Sequence, residues 1–164
     1  MHMNNKNLNL INKTFYNDAW PLQASFFQSL LDYEDDLHEL AIVLVDKQEM
    51  SFLNEQYRHK KGPTDVLSFP NEENTAGDII LCPKEIFSYA YCHRIPYTVR
   101  FLHLIIHSMI HLKGLDHYDP QEAKKMFAQE EKLWFWSVSQ LGLNWKLNPG
   151  YTYSHSNTQL RKLN

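Results

Sequence analysis

The chain has 164 residues, of which 43% are hydrophobic and 21% charged, and its formal net charge at pH 7 is -3. This length suits one domain around one hydrophobic core, and the slightly acidic balance excludes a globally basic surface for binding nucleic acid. No apolar run approaches the ~18 residues of a membrane span. Only two cysteines are present, and no signal peptide is recognisable, so we expect reduced thiols in the cytoplasm.

The first half of the chain predicts two strands and two helices. A weak strand is expected within residues 4–14, and apolar residues at helical spacing predict a helix over 21–33. The apolar run at 40–45 is rich in branched residues, which is typical of a central strand. Asp46 then caps a helix whose apolar stripe continues until the Gly62-Pro63 turn.

The second half predicts two more strands, at 65–69 and 78–82, and three helices. The connection between these strands is short, which indicates antiparallel neighbours. The helices are expected at 83–93, 97–113 and 120–141, the last of them capped by Asp119. Four strands and five helices predict an α+β fold. We expect a single domain over 1–142 and a loosely ordered C-terminal tail over 143–164.

The segment from His107 to His117 carries the strongest chemical signal. His107 and His111 are four residues apart, so on a helix they lie on one face, one turn apart. Gly114 fits a helix end and a turn that returns His117 toward them. Three imidazoles with one open coordination position are typical of a catalytic zinc site on this central helix.

Other interpretations of the histidines remain open. The chain has 9 histidines, so one pair at helical spacing could arise by chance. His103 lies on the same helix face and could compete as a ligand, although we interpret it as a neighbour that packs or hydrogen bonds near the site. Asp116 either orients an imidazole or stabilises the turn. Three imidazoles also suit nickel or copper.

The densest positive patch is Arg58-His59-Lys60-Lys61. It is either a solvated helix end or a phosphate-binding patch, to which Arg58, Lys60 and Lys61 would contribute. Arg58 directly follows the apolar stripe, so its side chain could point into a cleft. Its planar guanidinium suits a phosphate or a carboxylate.

Four segments resemble, in order and spacing, the YbeY family of bacterial endoribonucleases. The resemblance spans roughly residues 38–142 and rests on Leu53-Asn54-Glu55-Gln56-Tyr57-Arg58, Thr64-Asp65-Val66-Leu67-Ser68-Phe69-Pro70, Gly77-Asp78-Ile79 and the His107 to His117 motif. Agreement of four motifs is far more specific than any one of them. The resemblance implies a small mixed sheet surrounded by helices.

The resemblance also implies a function. It implies a zinc-dependent, single-strand-specific endoribonuclease that matures the 3′ end of small-subunit ribosomal RNA and serves ribosome quality control. His107, His111 and His117 carry over as ligands of one Zn²⁺, and Arg58 as the active-site arginine. The expected partners are single-stranded RNA, ribosomal RNA and the ribosome or its proteins, and we expect a monomer. Zinc would activate a water or polarise a phosphoryl oxygen, while Arg58 stabilises the transition state.

The sequence departs from the family pattern at three places. Ser108 stands where the family usually has Gly, Leu115 stands where an aromatic residue or His is usual, and the tail after Gly142 is longer. None of these removes a proposed ligand. Ser108 adds a side chain to the metal-bearing helix, so the packing of that helix or the width of the pocket could differ.

Two alternative functions follow from the same residues. The histidine spacing also matches the metzincin zinc proteases, whose pattern is His-Glu-x-x-His-x-x-Gly-x-x-His. Those proteases use the Glu as general base, and Ser108 at that position cannot accept a proton from water at neutral pH. The other alternative is a non-catalytic ribosome-assembly factor in which a metal serves stability.

Overall fold

The structure is a computed structural model that describes residues 6–147 and 160–162. Five helices and six strands make up this described part of the chain. In chain order they are β1 Asn7–Asn12, α1 Ala24–Tyr33, β2 Glu39–Leu44, α2 Lys47–Arg58, β3 Val66–Pro70, β4 Ala76–Leu81, α3 Pro83–His93, α4 Tyr97–Leu112, α5 Pro120–Leu141, β5 Trp145–Leu147 and β6 Leu160–Lys162.

The main sheet has four strands in the order β1-β2-β4-β3. Strands β1, β2 and β4 are parallel, and β3 runs antiparallel to β4. The predicted α+β class and four-stranded mixed sheet are therefore confirmed, as is the pairing of the third and fourth strands. The run predicted as the central strand forms β2, which has a neighbour on each side.

Helix α4 is the central helix of the fold. Twelve of its 16 residues are buried, and it contacts β3, β4, α3 and α5. A helix that is apolar on nearly every side is stable only inside a core. One side of α4 nevertheless carries His103, His107 and His111. The core therefore fixes the position of these imidazoles.

Helix α2 covers the other face of the sheet. Met50 packs with Val45, Leu67 and Cys82 in a second apolar cluster. The Asp46 carboxylate caps the helix by accepting a hydrogen bond from the Glu49 N–H at 2.9 Å. Both faces of the central strand are thus covered, and the end of α2 is brought to the edge of the cleft described below.

The predicted end of this helix at the Gly62-Pro63 turn was wrong. Helix α2 ends at Arg58 because His59 adopts the left-handed conformation, with φ 56°, which stops a helix. Histidine is tolerated there more readily than most residues. The Asn54 amide donates to the Gly62 carbonyl at 2.9 Å. This bond folds the basic turn back against the helix, so the Gly-Pro signal marks the end of the turn and not of the helix.

Other boundaries differ by a few residues from those expected. Helix α1 begins at Ala24 rather than at Pro21, and no side chain caps it. The third and fourth strands span 66–70 and 76–81. Such shifts are ordinary at the ends of elements, where the local sequence signal is weakest.

Part of the segment expected to be a loose tail belongs to the described residues. Strands β5 and β6 pair antiparallel, and the Trp134 indole N–H donates to the Trp145 carbonyl at 2.9 Å. Residues 148–159 and 163–164, where the rest of that prediction falls, lie outside the described part. Within the described residues, none of the helices combines the length and apolar character needed to cross a membrane.

Candidate metal centre

The three histidines predicted as metal ligands lie together. One ligand atom from each of His107, His111 and His117 is within 4.8 Å of the others. The Nε2 atoms of His107 and His111 are 3.0 Å apart. Across the described ranges, this is the one group of three or more histidine, cysteine or acidic side chains close enough to share an ion.

The turn after α4 brings His117 back to the helix. Gly114 has φ 80°, a conformation that favours glycine, and its N–H donates to the His111 carbonyl at 2.9 Å. The Asp116 carboxylate accepts a hydrogen bond from the His117 backbone N–H at 2.6 Å. Gly114 therefore turns the chain at the end of α4, as its position in the sequence predicted.

The outer nitrogens of two imidazoles are held by acceptors. His107 Nδ1 is 2.5 Å from a carboxylate oxygen of Glu130, and His111 Nδ1 is 3.0 Å from the Leu115 carbonyl. Because both partners accept hydrogen bonds, both Nδ1 atoms carry the proton, and Nε2 remains as the ligand atom. Two Nε2 lone pairs that face each other across 3.0 Å suit a shared cation. The donor set therefore fits a metal ion.

The pKa of His111 also favours metal binding. Burial and, to a smaller extent, the positive charges that His107 and His117 can carry together lower it to about 4. The imidazole is consequently neutral at pH 7, which is the form that binds a metal without first releasing a proton.

Glu130 is a site residue that sequence reasoning missed. It lies in α5 and its side chain is fully buried. A buried carboxylate requires a hydrogen-bonding partner, and here the partner is His107. A signal was present in the sequence, because Glu130 occupies the apolar stripe of α5 between Met126 and Leu133. An acid at such a position indicates a specific buried contact.

The two residues expected beside the three histidines, Asp116 and His103, have different surroundings. Asp116 Oδ1 is 3.8 Å from His117 Nδ1, too far for a hydrogen bond, so its contacts favour the turn role over orienting an imidazole. His103 is buried, and its Nδ1 lies 3.3 Å from Arg100 Nη1. Burial and the charge of Arg100 lower the pKa of His103 well below its ordinary value. It lies beside the cluster and does not belong to the group of three.

The imidazoles open into a cleft of about 610 Å³ whose other wall comes from α2 and β3. Arg58 is half-buried and lines this cleft, as expected. Lys60 and Lys61 are exposed on the turn beyond it and are absent from the described lining residues. The lining also includes Tyr57, Thr64, Asp65, Ser68, Phe69, Arg100, His103 and Tyr118.

A buried ion pair in the cleft wall was also missed. Arg100 Nη2 is 2.6 Å from Asp65 Oδ2, and the guanidinium carbon lies 3.8 Å from the Tyr89 ring centroid. Its partners are 35 residues apart in the chain, so no local spacing could indicate the pair. A charge on Arg100, which is 6% exposed, needs this carboxylate.

The fold and the site define an α+β protein whose cleft offers three imidazoles to one ion and an arginine to an anion. The family model for the endoribonuclease YbeY matches residues 2–135. The chain therefore belongs to the YbeY family, which confirms the resemblance drawn from its motifs. The family is one of endoribonucleases, which are hydrolases that cut RNA.

Individual relatives agree with this assignment. The chain is similar to the endoribonuclease YbeY of Coxiella burnetii, with 40% identity over 109 residues that cover 63% of this chain and 69% of the relative. The Thermotoga maritima protein of that name is 34% identical over 116 residues, covering 70% and 74%. The solution structure of TM1509 from Thermotoga maritima matches with a TM-score of 0.63 at 25% identity, covering 82% of this chain and 91% of that one.

Proposed function

We propose that this chain is a zinc-dependent endoribonuclease that cuts single-stranded RNA. Its substrate is ribosomal RNA, and its roles are maturation of the small-subunit 3′ end and ribosome quality control. It acts as a cytoplasmic monomer on the ribosome or with ribosomal proteins. The observation that carries the proposal is the shared cleft, in which three imidazoles that fit a metal face the same space as Arg58.

His107 and His111 would hold one Zn²⁺ through Nε2, and His117 would hold it through a ring nitrogen. The chemistry supplied there would be that of a Lewis acid, which can polarise a phosphoryl oxygen or lower the pKa of a water. Glu130 and the Leu115 carbonyl keep the two helical imidazoles in the ligating tautomer. These contacts cost no reorganisation when the substrate arrives, because the core already fixes α4.

Arg58 is the phosphate-binding residue of the proposal. Its guanidinium donates two parallel hydrogen bonds to a phosphate and meets the charge that builds there as the bond breaks. Asp65 and Arg100 neutralise each other in the same wall, so Arg58 supplies the positive charge for the substrate. Lys60 and Lys61, on the exposed turn, contact phosphates farther along the strand and contribute a salt-dependent part of the affinity.

The protease alternative has no support in the site. It needs a general base beside the first ligand, and Ser108 at that position is fully buried in α4. A hydroxyl directed into the core cannot take a proton from a water in the cleft. The net charge of -3 does not oppose an RNA substrate, because a few local contacts provide the attraction.

The test is cleavage by metal-quantified wild type, Arg58→Ala and His111→Ala. The substrates are a single-stranded ribosomal RNA fragment, the same sequence as a duplex, and casein. We expect Arg58→Ala to retain its metal and to cut RNA about 100-fold to 1000-fold more slowly, since one well-placed donor is worth that much. His111→Ala should lose both metal and cleavage.

Lys61→Ala is the matched control, because it removes a positive charge from the exposed turn without touching the cleft. It should lower the salt dependence of binding and leave kcat unchanged within about twofold. Cleavage of casein, or RNA cleavage that survives in both cleft variants, would contradict the proposal. Metal binding without cleavage of either substrate would favour the assembly-factor alternative.

A further inference from the structure

Two exposed tyrosines border the cleft and have no part in the chemistry proposed above. Tyr57 is 56% exposed and Tyr118 is 76% exposed, and both line the cleft. Single exposed rings are common on protein surfaces and need no explanation by themselves. Tyr57 and Tyr118 differ from the other exposed aromatic residues in their position in the cleft, beside residues of the proposed site.

One ring is the chain neighbour of the proposed phosphate-binding residue, and the other is the chain neighbour of a proposed metal ligand. Tyr57 directly precedes Arg58, and Tyr118 directly follows His117. In a nucleotide, base and phosphate are joined through a single ribose. A phosphate held at Arg58 or at the metal therefore brings its base within reach of an adjacent tyrosine.

Both rings are supported by a neighbour within the cleft wall. The Tyr57 ring packs against Phe69 in a T-shaped arrangement, with centroids 4.9 Å apart. The Tyr118 ring lies 5.4 Å from the His117 ring. A ring that is already held in place loses little conformational freedom when a second ring stacks on it.

We propose that Tyr57 and Tyr118 form two base-stacking subsites in the cleft, one beside Arg58 and one beside His117, for the nucleobases of single-stranded RNA. This proposal rests on the proposed function, and it gives a physical reason why the enzyme would prefer single-stranded RNA to a duplex. Bases in a duplex are already paired and stacked, whereas unpaired bases can turn onto an aromatic ring. Stacking accepts every base, so the subsites select strand state without selecting sequence.

The charge of the protein supports a nucleobase as the group that occupies these subsites. The chain carries a net charge of -3, and few cations lie in the cleft, so phosphate contacts alone give a weak RNA site. Stacking supplies affinity that does not depend on charge.

The test compares adenosine 5′-monophosphate with ribose 5-phosphate on the zinc-loaded protein by calorimetry. Neither probe has an internal phosphodiester bond, so the comparison does not require cleavage. We expect wild type to bind the nucleotide about tenfold more tightly than the sugar phosphate, which is the usual size of one stacking contact. The double variant Tyr57→Leu/Tyr118→Leu should lose this difference, and Tyr57→Phe/Tyr118→Phe should retain it.

Tyr91→Leu is the matched control, because Tyr91 is 77% exposed on α3 and is not among the described residues that line the cleft. It should keep the full difference between the two probes. Equal binding of both probes to wild type would overturn the proposal, as would a difference that persists in the double leucine variant. If wild type shows the difference and yet fails to cut RNA, the proposed function falls and the stacking subsites stand.

Discussion

Glu130 supports the candidate metal centre through its contact with His107. Its carboxylate lies 2.5 Å from His107 Nδ1 and is fully buried, so it fixes both the ring orientation and the tautomer of that imidazole. Partners of this kind typically change metal affinity by about 10-fold to 100-fold when they are removed.

We predict that Glu130→Ala weakens zinc binding by about 10-fold to 100-fold, because His107 loses the acceptor that orients it. Competition with a chromophoric chelator measures the affinity, and thermal unfolding in EDTA checks that the variant still folds. Glu131→Ala, at the exposed neighbouring position, is the control and should bind zinc as wild type does. Unchanged affinity in folded Glu130→Ala would show that His107 needs no such partner.

Ser108 affects stability rather than the metal. Its side chain is fully buried in α4, and its hydroxyl oxygen has no hydrogen-bond partner among the described residues. We predict that Ser108→Ala raises the free energy of unfolding by about 1 kcal/mol, because a buried hydroxyl without a partner is replaced by a methyl group.

Urea unfolding of the metal-free protein measures this change. Ser139→Ala, at an exposed position of α5, controls for the helix propensity of alanine. It should change the free energy of unfolding by less than about 0.5 kcal/mol. A destabilised Ser108→Ala would mean that the hydroxyl makes a stabilising contact.

The sequence predicted the site residues whose relationship is local. Three histidines within eleven positions follow from helical periodicity and one glycine turn. Glu130 is 23 residues from His107, and Asp65 is 35 from Arg100. Such pairs form only after the sheet and helices pack, so spacing along the chain could not reveal them. For Glu130 the one available signal was a charge on an apolar stripe.

At the scale of elements, the site depends on the turn between α4 and α5. Gly114 takes φ 80° there, and a Cβ added to it would lie 3.1 Å from the Asn74 amide nitrogen. The backbone conformation and the close approach both disfavour any side chain. This turn determines where His117 lies relative to α4.

We predict that Gly114→Ala lowers the free energy of unfolding by about 1–2 kcal/mol and also weakens zinc binding, because the strained turn displaces His117. Gly142→Ala is the matched control, since Gly142 has φ 63° and no atom lies within 4 Å of its added Cβ. It should lose about 1 kcal/mol and keep its zinc affinity. Equal zinc affinity in both variants would contradict the role of the turn.

The elements were predicted well in their interiors and less well at their ends. Helices α3 and α5 begin at a proline and agree with the sequence signals. Helix α2 ended earlier than expected because His59 takes a left-handed conformation that glycine was expected to provide. A tertiary hydrogen bond from Asn54 to Gly62 helps to hold that turn, and no local pattern encodes it.

At the scale of the whole molecule, the buried His103 and the half-buried His111 couple folding to pH. Burial holds the pKa of His103 well below 6.5 in the folded chain, and burial together with the neighbouring imidazoles lowers the pKa of His111 to about 4. The unfolded chain therefore takes up protons first as the pH falls below 6.5. The contribution of these two histidines to the free energy of unfolding is fully present above pH 6.5. It is lost as the pH falls toward their pKa values in the folded chain.

We predict that the metal-free protein loses up to about 1.4 kcal/mol of stability per pH unit for each of these histidines between pH 6.5 and 5. Urea unfolding in EDTA across this range measures the slope. His103→Gln should reduce the slope by about half, and the exposed His38→Gln should leave it unchanged. A slope that is the same in His103→Gln and wild type would contradict this assignment.

The most direct test of the central claim is a zinc titration of the metal-free protein, with zinc occupancy and the cleavage rate of a single-stranded RNA recorded on the same samples. We predict that the rate rises in proportion to occupancy and stops rising at one ion per chain. His117→Ala, which leaves α4 intact, should bind zinc weakly and cut little at any occupancy that it reaches. Cleavage at full rate without zinc, or full occupancy without cleavage, would contradict a metal centre that cuts RNA.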